Sequence, residues 1–175
     1  SNYTQGMQVY YSQNVSIYNI TVHNNTAYGF YMPASNWTNM SSLLAYGNGM
    51  IGIYINQLSG NNTLAHSVSR DNGIDGVYLS GASDNNITNV TSYRNVNDGI
   101  SISTAHRNRV SVCMAYNNGN NGFNVDQAQY NLVSDCRAEN NTGYGFRLAT
   151  KAFMPNLYNN LTNGYAWNNS YGFSI

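Results

Sequence analysis

The chain has 175 residues, enough for one domain with a substantial core, and only 8% of them are charged, with a formal net charge of zero. A chain without a basic face is a poor match for nucleic acid or an anionic membrane surface, so neither partner is expected. The longest apolar run, GMIGIYI, is too short to cross a bilayer, so no membrane span is predicted. The chain begins with Ser and shows no signal peptide, and we interpret it as a mature or excised chain.

The N-glycosylation sequon is unusually frequent from the first residues onward. The pattern Asn-x-Ser/Thr occurs 12 times, about twice the number that the composition would give by chance. This excess predicts an extracellular, cell-surface glycoprotein. The alternative is that Asn-rich turns followed by strand-favouring Thr produce the pattern by themselves. The sequon asparagines are Asn2, Asn14, Asn19, Asn24, Asn36, Asn39, Asn61, Asn86, Asn89, Asn140, Asn160 and Asn168.

A strand-like motif of Gly, apolar, any residue, apolar recurs along the whole chain. Its first copy is GMQV and its last is GFSI, with successive spacings of 23, 23, 24, 23, 23, 23 and 27 residues. Such a period predicts a solenoid, which forms a single domain over residues 1–175. The motif glycines are Gly6, Gly29, Gly52, Gly76, Gly99, Gly122, Gly145 and Gly172.

An asparagine precedes each of the last seven motif glycines by four residues. An Asn at the same turn of every coil can bond its neighbours above and below, so this column predicts an asparagine ladder. Small or apolar columns that begin at Ile20 and Val22 predict an inward-facing strand, and a third short strand is predicted near Val15 and its repeats. The predicted ladder residues are Asn25, Asn48, Asn72, Asn95, Asn118, Asn141 and Asn168.

These repeats resemble those of the right-handed parallel β-helix superfamily, which includes pectate lyases, polygalacturonases, viral tailspikes and NosD-like carbohydrate-binding and sugar-hydrolase domains. The resemblance covers residues 6–175 and implies an all-β solenoid of seven to eight coils without a capping helix. It is informative about fold, because the superfamily includes enzymes, binding modules and structural proteins. The stretch MSSLLAYGNGM also fits a leucine-rich repeat, but the Gly-led strand occupies the part of each repeat where that fold has a helix or convex segment.

Two acidic residues are candidates for catalysis. Asp75 and Asp98 each precede a motif glycine, so we expect them on adjacent coils roughly 4.8 Å apart, close to the separation in retaining glycosidases. Asp-Gly is also ordinary turn chemistry. The stretch NDGI is similar to part of the polygalacturonase signature, but that family's second acidic pair, Gly-His-Gly and Arg-x-Lys are missing, as is the calcium-binding acid cluster of pectate lyases. The sequence therefore favours a non-enzymatic role.

Few residues have metal or redox chemistry. Cys113 and Cys136 fall in one inward column on adjacent coils, which makes them a candidate disulfide, with stacked buried thiols as the alternative. His23, His66 and His106 fall in different columns, so neither a metal site nor a cofactor is predicted.

A stripe of tyrosines is the candidate contact surface. Tyr31, Tyr54 and Tyr78 occupy the outward position of the Gly-led strand in three consecutive coils. Such a stripe could stack against sugar rings or against a neighbouring solenoid. Tyrosine also simply suits an exposed strand face.

The final stretch, YGFSI, has the alternation of a half-buried strand, and no capping segment is recognisable at either end of the repeats. The first and last strands occupy the same position of the repeat. We therefore expect a second copy to place its GMQV strand on GFSI, a head-to-tail contact that does not close and so builds a filament. The expected contact residues are Gly6, Met7, Val9, Gly172, Phe173 and Ile175.

Together these patterns predict an extracellular structural protein, a glycosylated β-helix subunit whose partner is another copy of itself. Two alternatives stay open. The first is a carbohydrate-binding or polysaccharide-degrading module that uses the tyrosine stripe and the two aspartates, with glycans as partners. The second is a segment of a longer β-helix surface protein.

Overall fold

The computed structural model describes residues 3–149 and 158–175, and this part of the chain is built of strands without a helix. Accordingly, none of its elements is a helix able to span a membrane. The strands form three parallel sheets, and each sheet takes one strand from every coil. Sheet I contains β1 (Gln5–Gln8), β4 (Tyr28–Met32), β7 (Ile53–Ile55), β10 (Val77–Ser80), β13 (Ile100–Ser103), β16 (Phe123–Asp126), β19 (Tyr144–Ala149) and β22 (Tyr171–Ser174). Sheet II contains β2 (Ser16–Tyr18), β5 (Asn39–Ser41), β8 (Thr63–Ala65), β11 (Asn86–Thr88), β14 (Arg109–Ser111), β17 (Leu132–Ser134) and β20 (Asn160–Thr162). Sheet III contains β3 (Thr21–His23), β6 (Leu44–Tyr46), β9 (Val68–Arg70), β12 (Thr91–Tyr93), β15 (Met114–Tyr116), β18 (Arg137–Glu139) and β21 (Tyr165–Trp167).

Each strand pairs in parallel with the equivalent strand of the next coil. In sheet I, for example, Tyr31 lies beside Tyr54, and Tyr54 lies beside Tyr78. The chain is therefore a β-solenoid of about seven turns with a repeat of about 23 residues, which confirms the prediction from the glycine spacing.

The corners between the sheets contain residues in the left-handed backbone region. The corner from sheet III to sheet I includes Asn24 and Asn140, with φ of 54° and 52°, and the corner from sheet II to sheet III includes Asn19 and Asn89, with φ of 55° and 51°. Asn tolerates this conformation better than other non-glycine residues because its short side chain bonds the local backbone. The asparagine-rich composition thus follows in part from the corners.

The core is a stack of apolar side chains enclosed by the three sheets. The predicted inward columns that begin at Ile20 and Val22 line it. On sheet I, the rings of Phe123, Phe146 and Phe173 stack in parallel, with centroid distances of 4.8 and 5.3 Å. Identical side chains therefore repeat at the spacing of the strands themselves.

The predicted asparagine ladder is present, with one correction. Each side-chain amide donates to the Oδ1 atom of the next rung at 2.9 to 3.0 Å. The last rung is Asn169, which accepts from Asn141, and not Asn168 as predicted. In the last coil the rung precedes Gly172 by three residues instead of four, so counting back four residues reached the exposed corner residue Asn168, whose φ is 51°.

A second asparagine ladder precedes sheet II, and the sequence analysis did not identify it. The Nδ2 atom of each rung donates to Oδ1 of the next at 2.9 to 3.1 Å. At its start, the backbone N–H of Thr38 donates to Asn62 Oδ1 at 2.8 Å. Two buried amide ladders therefore satisfy backbone donors at two of the three corners. The rungs are Asn62, Asn85, Asn108, Asn131 and Asn159.

The motif glycines are explained by close approach between coils. A Cβ atom on Gly76 would lie 2.6 Å from Asn95 Nδ2 and 2.8 Å from the carbonyl oxygen of Gly99 in the next coil. Any side chain there would push the ladder and the backbone apart. At Gly172, by contrast, no atom lies within 4 Å of the Cβ position.

Candidate functional site

The outward face of sheet I carries the predicted tyrosine stripe and the two candidate aspartates. Strand residues that alternate with the buried ones form columns along the solenoid. The middle column contains Gln8, Tyr31, Tyr54, Tyr78, Ser101, Asn124, Arg147 and Ser174. The adjacent column, one residue before each motif glycine, contains Tyr28, Ile51, Asp75, Asp98, Asn121, Tyr144 and Tyr171.

Four tyrosines from three coils form a tyrosine cluster on this face: Tyr28, Tyr31, Tyr54 and Tyr78. Tyr28 lies 5.1 Å from both Tyr31 and Tyr54, measured between ring centroids, with interplanar angles of 34° and 65°. The Tyr31–Tyr54 and Tyr54–Tyr78 distances are both 5.3 Å. Asn56 Nδ2 donates to the Tyr31 hydroxyl at 3.0 Å. The structure therefore places the three predicted tyrosines in one column and adds Tyr28 from the adjacent column.

The rings of the cluster are half-buried and uncharged. Burial raises the pKa of Tyr54 to about 12, so its hydroxyl stays protonated at any physiological pH. Most of the ring pairs are tilted, which leaves parts of the ring faces open toward solvent. Partly open aromatic faces beside hydroxyl and amide groups are suited to a ligand with both apolar and hydroxyl surfaces.

A second row of planar side chains lies on the outer side of sheet III, and the sequence analysis missed it. His23 and Tyr46 stack at 4.9 Å with an interplanar angle of 6°, and Tyr93 and Tyr116 stack at 4.7 Å and 7°. The Arg70 guanidinium lies 4.4 Å from the Tyr46 ring centroid. The detectable signal was a planar residue directly after the inward column that begins at Val22. Because these groups lie flat on one another, they cover each other's faces and offer a ligand mainly edges.

The two candidate aspartates lie beyond the tyrosine cluster on adjacent coils, as predicted. Both are buried, with exposed fractions of 5% for Asp75 and 2% for Asp98. Asp75 Oδ1 accepts from Asn97 Nδ2 at 2.7 Å and from the backbone N–H of Asp98 at 2.9 Å. Burial, with a smaller contribution from the negative charge of Asp98, raises the pKa of Asp75 to about 6. Burial also raises the pKa of Asp98.

Asparagine amides and one arginine surround Asp98. Its Oδ1 accepts from the backbone N–H of Asn121 at 2.9 Å, and its Oδ2 accepts from Asn124 Nδ2 at 2.9 Å. Arg147 Nη1 donates to Asn124 Oδ1 at 3.2 Å. Asp98 is therefore held by the next coil, which Arg147 of the following coil contacts through Asn124, and a catalytic role for Asp98 and Asp75 stays a prediction.

The two cysteines stack in the core as free thiols, so the candidate disulfide is not formed. In-register parallel strands are roughly 4.8 Å apart, whereas a disulfide needs its Cβ atoms at about 3.8 Å. The hydrogen bond with Cys136, together with burial, raises the pKa of Cys113 well above its usual value. Both Sγ atoms also lie 3.2 Å from backbone oxygens, of Ser111 and Ser134.

The sequons have a structural explanation that is independent of glycosylation. Asn2 lies outside the described residues, and none of the other 11 sequon asparagines is buried. Seven of them are left-handed corner residues, with φ between 51° and 56°. At Asn14, Asn19, Asn61 and Asn89 the pattern arises because the corner Asn precedes a strand that begins with Thr or Ser, so the use of these sites stays a prediction. The seven are Asn14, Asn19, Asn24, Asn61, Asn89, Asn140 and Asn168.

The predicted contact residues lie on the two outer strands of sheet I, β1 and β22, each of which has one paired edge. Phe173 is 50% exposed and Ile175 is 92% exposed. Gly6 and Gly172 are exposed and Met7 is half-buried, whereas Val9 is already covered by its own chain. An apolar edge is therefore available at β22.

Comparisons with solved structures identify the architecture. The periplasmic alginate epimerase AlgG matches with a TM-score of 0.81 and 16% identity, covering 98% of this chain and 47% of that chain. The A-module of the mannuronan C-5 epimerase AlgE4 from Azotobacter vinelandii matches with a TM-score of 0.74 and 15% identity, covering 93% and 56%. Pectate lyase Pel9A matches with a TM-score of 0.71 and 20% identity, covering 78% and 39%. This chain spans about half the length of the first of these structures, and the likeness establishes the fold alone, the right-handed parallel β-helix expected from the repeats.

Sequence comparison identifies the family. No curated protein matches the chain. The family model described as periplasmic copper-binding protein (NosD) matches residues 1–172, nearly the whole sequence. With the coil geometry in agreement along both described segments, the chain belongs to the NosD family of parallel β-helix proteins.

Proposed function

We propose that the chain is a glycan-binding β-helix module whose binding surface is the outward face of sheet I. The observation that carries this proposal is the tyrosine cluster, four half-buried rings whose neighbouring centroids lie 5.1 to 5.3 Å apart, on the same face as Asp98, Asn124 and Arg147. The similar solved structures are named for enzymes of alginate and pectate, which agrees with a glycan ligand.

The columns of the sheet I face predict how an extended ligand would be oriented on it. The tyrosines occupy the early coils and the amide and carboxylate groups occupy the later ones, so a chain-like ligand would lie along the solenoid axis. From Tyr31 to Arg147 the middle column spans five coil steps, or roughly 24 Å. Rings would pack against the apolar faces of sugar units, while amides would bond their hydroxyl groups.

The test is a binding titration with oligosaccharides on the whole chain. In the double variant Tyr54→Ser/Tyr78→Ser, serine occupies a column that already contains Ser101, so the strand is expected to fold. Two lost ring contacts at about 0.5 to 1.5 kcal/mol each predict an affinity loss of about tenfold or more. The matched control is Tyr93→Ser/Tyr116→Ser on sheet III, which should bind as the parent does. Equal losses in both variants, or no binding by the parent, would contradict the proposal.

The same titration separates binding from cleavage. If the oligosaccharides are shortened by the parent chain and left intact by Asp98→Asn, the polysaccharide-degrading alternative replaces the binding role. If the oligosaccharides keep their length with the parent chain and with Asp98→Asn, the module binds them without cleaving them.

The family's description names copper, and the described residues do not fit a copper site. Within residues 3–149 and 158–175, no group of three or more His, Cys, Asp or Glu side chains lies close enough to hold a metal ion. The stacked cysteines supply two buried thiols, but no His, Asp or Glu side chain of the described residues completes a group of three ligands around them. We therefore derive no step through copper.

We place the module outside the cytoplasm, because both the NosD family and the epimerase AlgG are described as periplasmic. We also propose that the protein lies at the cell surface and that its sequons are glycosylated. Mass spectrometry of the chain isolated from its own source, before and after glycosidase treatment, tests the glycans. A mass equal to that of the unmodified sequence would contradict the proposed glycosylation.

End-to-end stacking is the second candidate, favoured by the open space at Gly172 and the exposed Phe173 and Ile175 on β22. Every earlier motif glycine is covered by the next coil, and a second copy could cover Gly172 in the same way. Electron microscopy of the purified chain should then show fibres with an axial repeat of roughly 34 to 38 Å.

The variant Gly172→Ala makes this test specific. A Cβ atom there meets nothing within the chain, so the monomer should keep its stability, but by equivalence with the earlier motif glycines it would meet the backbone of a stacked copy. Fibres from the parent and monomers from the variant are the expected result. A parent chain that stays monomeric at micromolar concentration would contradict end-to-end stacking.

A further inference from the structure

We propose that the sheet I face carries a second aromatic subsite, formed by Tyr144 and Tyr171, and that the ligand is an extended polysaccharide chain that contacts this subsite and the tyrosine cluster at once. This inference rests on the proposed glycan-binding function. It names the class of glycan, a long chain that is bound along its length and not at a single terminal sugar.

The second tyrosine pair, Tyr144 and Tyr171, lies on the last two strands of sheet I, β19 and β22. The two residues are direct neighbours in the register of the sheet. Their ring centroids are 4.8 Å apart, with an interplanar angle of 28°. Tyr144 is half-buried and Tyr171 is 60% exposed. The pair therefore offers open aromatic surface, which is suited to the apolar face of a sugar ring.

The second tyrosine pair lies in line with the tyrosine cluster. Both members of the pair belong to the column of residues directly before the motif glycines, and so does Tyr28 of the cluster. Tyr28 lies 5.1 Å from Tyr31 and from Tyr54 of the middle column, so side chains of its column reach the outward face beside the middle column. Two groups of tyrosines therefore follow one another along the solenoid axis.

The spacing between the two groups sets a length for the ligand. Tyr144 lies on the strand three coil steps beyond that of Tyr78, the last ring of the cluster. Three steps correspond to roughly 14 Å along the axis. An extended β-1,4-linked chain advances about one coil step for each sugar unit, so about four units reach a ring in both groups and about six units span from Tyr54 to Tyr171.

The coils between the two groups present little open side-chain surface in these columns. Asp98, Ser101 and Asn121 are buried. The half-buried Asn124 donates to Asp98 and accepts from Arg147. The favourable contacts for a sugar chain are therefore concentrated at the two ends of the face, and affinity depends on whether one ligand reaches both ends.

A ligand that spans both groups gains more than the sum of two separate contacts. Once its first units are bound at the tyrosine cluster, its far end is held close to the second tyrosine pair, and the second contact forms without a further loss of translational freedom. A short oligosaccharide contacts only one group. Affinity should therefore rise in a step once the chain is long enough.

The experiment measures affinity against chain length by calorimetry on the whole chain. The probes are β-1,4-linked oligomers of glucose, mannose, xylose and mannuronate, each from three to eight units. For the series that binds, we expect the hexamer to bind at least about tenfold more tightly than the trimer. Beyond six units the affinity should change little, because the added units extend past the second tyrosine pair.

Variants of the second tyrosine pair test the cause of the step. Tyr144→Ser/Tyr171→Ser should remove the rise between trimer and hexamer and leave the trimer affinity at the parent value, which also shows that the variant is folded. If the double variant does not fold, Tyr171→Ser alone, at the more exposed ring, should reduce the rise.

The matched control is Tyr130→Ser/Tyr158→Ser. These two rings also stack between adjacent coils, with centroids 4.9 Å apart and an interplanar angle of 11°, but they lie at the corner between sheets I and II. This variant should keep the parent's affinity for every length. A loss equal to that of the first variant would show that removal of any stacked ring pair weakens binding, and would contradict the subsite.

The outcomes separate the two proposals. A parent chain that binds all lengths equally, or a rise that persists in Tyr144→Ser/Tyr171→Ser, would overturn the second subsite and leave the glycan-binding function standing. The absence of binding by every oligomer would overturn the glycan-binding function, and the inference with it.

Discussion

Asp75 is a carboxyl group that the fold disfavours in its charged form. Its pKa rises from 3.8 to about 6, mainly through burial and then through the neighbouring charge of Asp98. Between these values the native state binds more protons than the unfolded chain. The free energy of unfolding therefore falls as pH rises from about 4 to about 6, and the cost, about 3 kcal/mol, is fully present above that range.

Replacement of Asp75 by Asn should therefore stabilise the protein near neutral pH. Asn keeps an oxygen that can accept from Asn97 and from the Asp98 backbone. We expect Asp75→Asn to raise the free energy of unfolding by about 2 kcal/mol at pH 7.5 and to have little effect at pH 4. Urea titrations at several pH values measure both.

Replacement of Asp71 by Asn should change the free energy of unfolding in the opposite direction. The hydrogen bond from Arg94 lowers the pKa of Asp71, so this carboxylate stabilises the fold above its unfolded pKa. Asp71→Asn should then lose up to about 1 kcal/mol at neutral pH, because the pair is partly exposed. That loss should disappear as pH falls below about 3.8. The same sign for both variants would contradict this account.

The motif glycines give a second prediction at the scale of the residue. Gly76→Ala places a methyl group against the Ser92 hydroxyl, the Asn95 amide and the Gly99 carbonyl. We expect a loss of about 3 kcal/mol or more in thermal or chemical unfolding. Gly172→Ala is the matched control, with open space at its Cβ position, and should change stability by less than about 0.5 kcal/mol.

At the scale of the element, the asparagine ladders join neighbouring coils. Asn95 Oδ1 accepts from both the backbone N–H and the side-chain amide of Asn72. Asn95→Ala leaves these buried donors without that acceptor, which predicts a loss of about 3 kcal/mol. Asn169→Ala, at the half-exposed last rung, should lose about 1 kcal/mol because water can reach the freed donors. Equal losses would show that the ladder acts only through local turns.

The two aromatic rows differ at the same scale. On sheet III the rings lie flat, whereas on sheet I the residue before the motif glycine brings Tyr28 into an angled position beside Tyr31 and Tyr54. A column of identical residues in adjacent parallel strands stacks flat by default. The additional ring from the neighbouring column is what makes the sheet I cluster a different surface.

For the whole molecule, each coil contacts only its neighbours, so stability should vary along the axis. Phe146 on β19 is 1% exposed, whereas Phe173 on β22 is 50% exposed. Amide exchange in β10, β13 and β16 should therefore be slower than in β22 by on the order of a hundredfold. Mass-spectrometric exchange at low protein concentration measures this, and uniform protection would indicate that the end strands are covered.

Much of this architecture could be read from the residues in order. Spacing alone gave the register, because parallel in-register coils place each residue beside the one a period later, as Tyr31, Tyr54 and Tyr78 show. The same rule stacked Cys113 on Cys136. The rule fails where the corner before the motif glycine is shorter: in the last coil the rung is Asn169, which precedes Gly172 by three residues instead of four.

The sequence by itself determined the solenoid, its period and the inward columns, because these depend on backbone pairing that repeats. Tertiary structure alone decided how columns meet across a face. The angled contact of Tyr28 with the stripe, and the engagement of Arg147 with Asp98 through Asn124, join residues of different columns and coils. The repeat period determines which residues stack in one column. Side-chain direction and burial determine which groups are exposed to a ligand between columns.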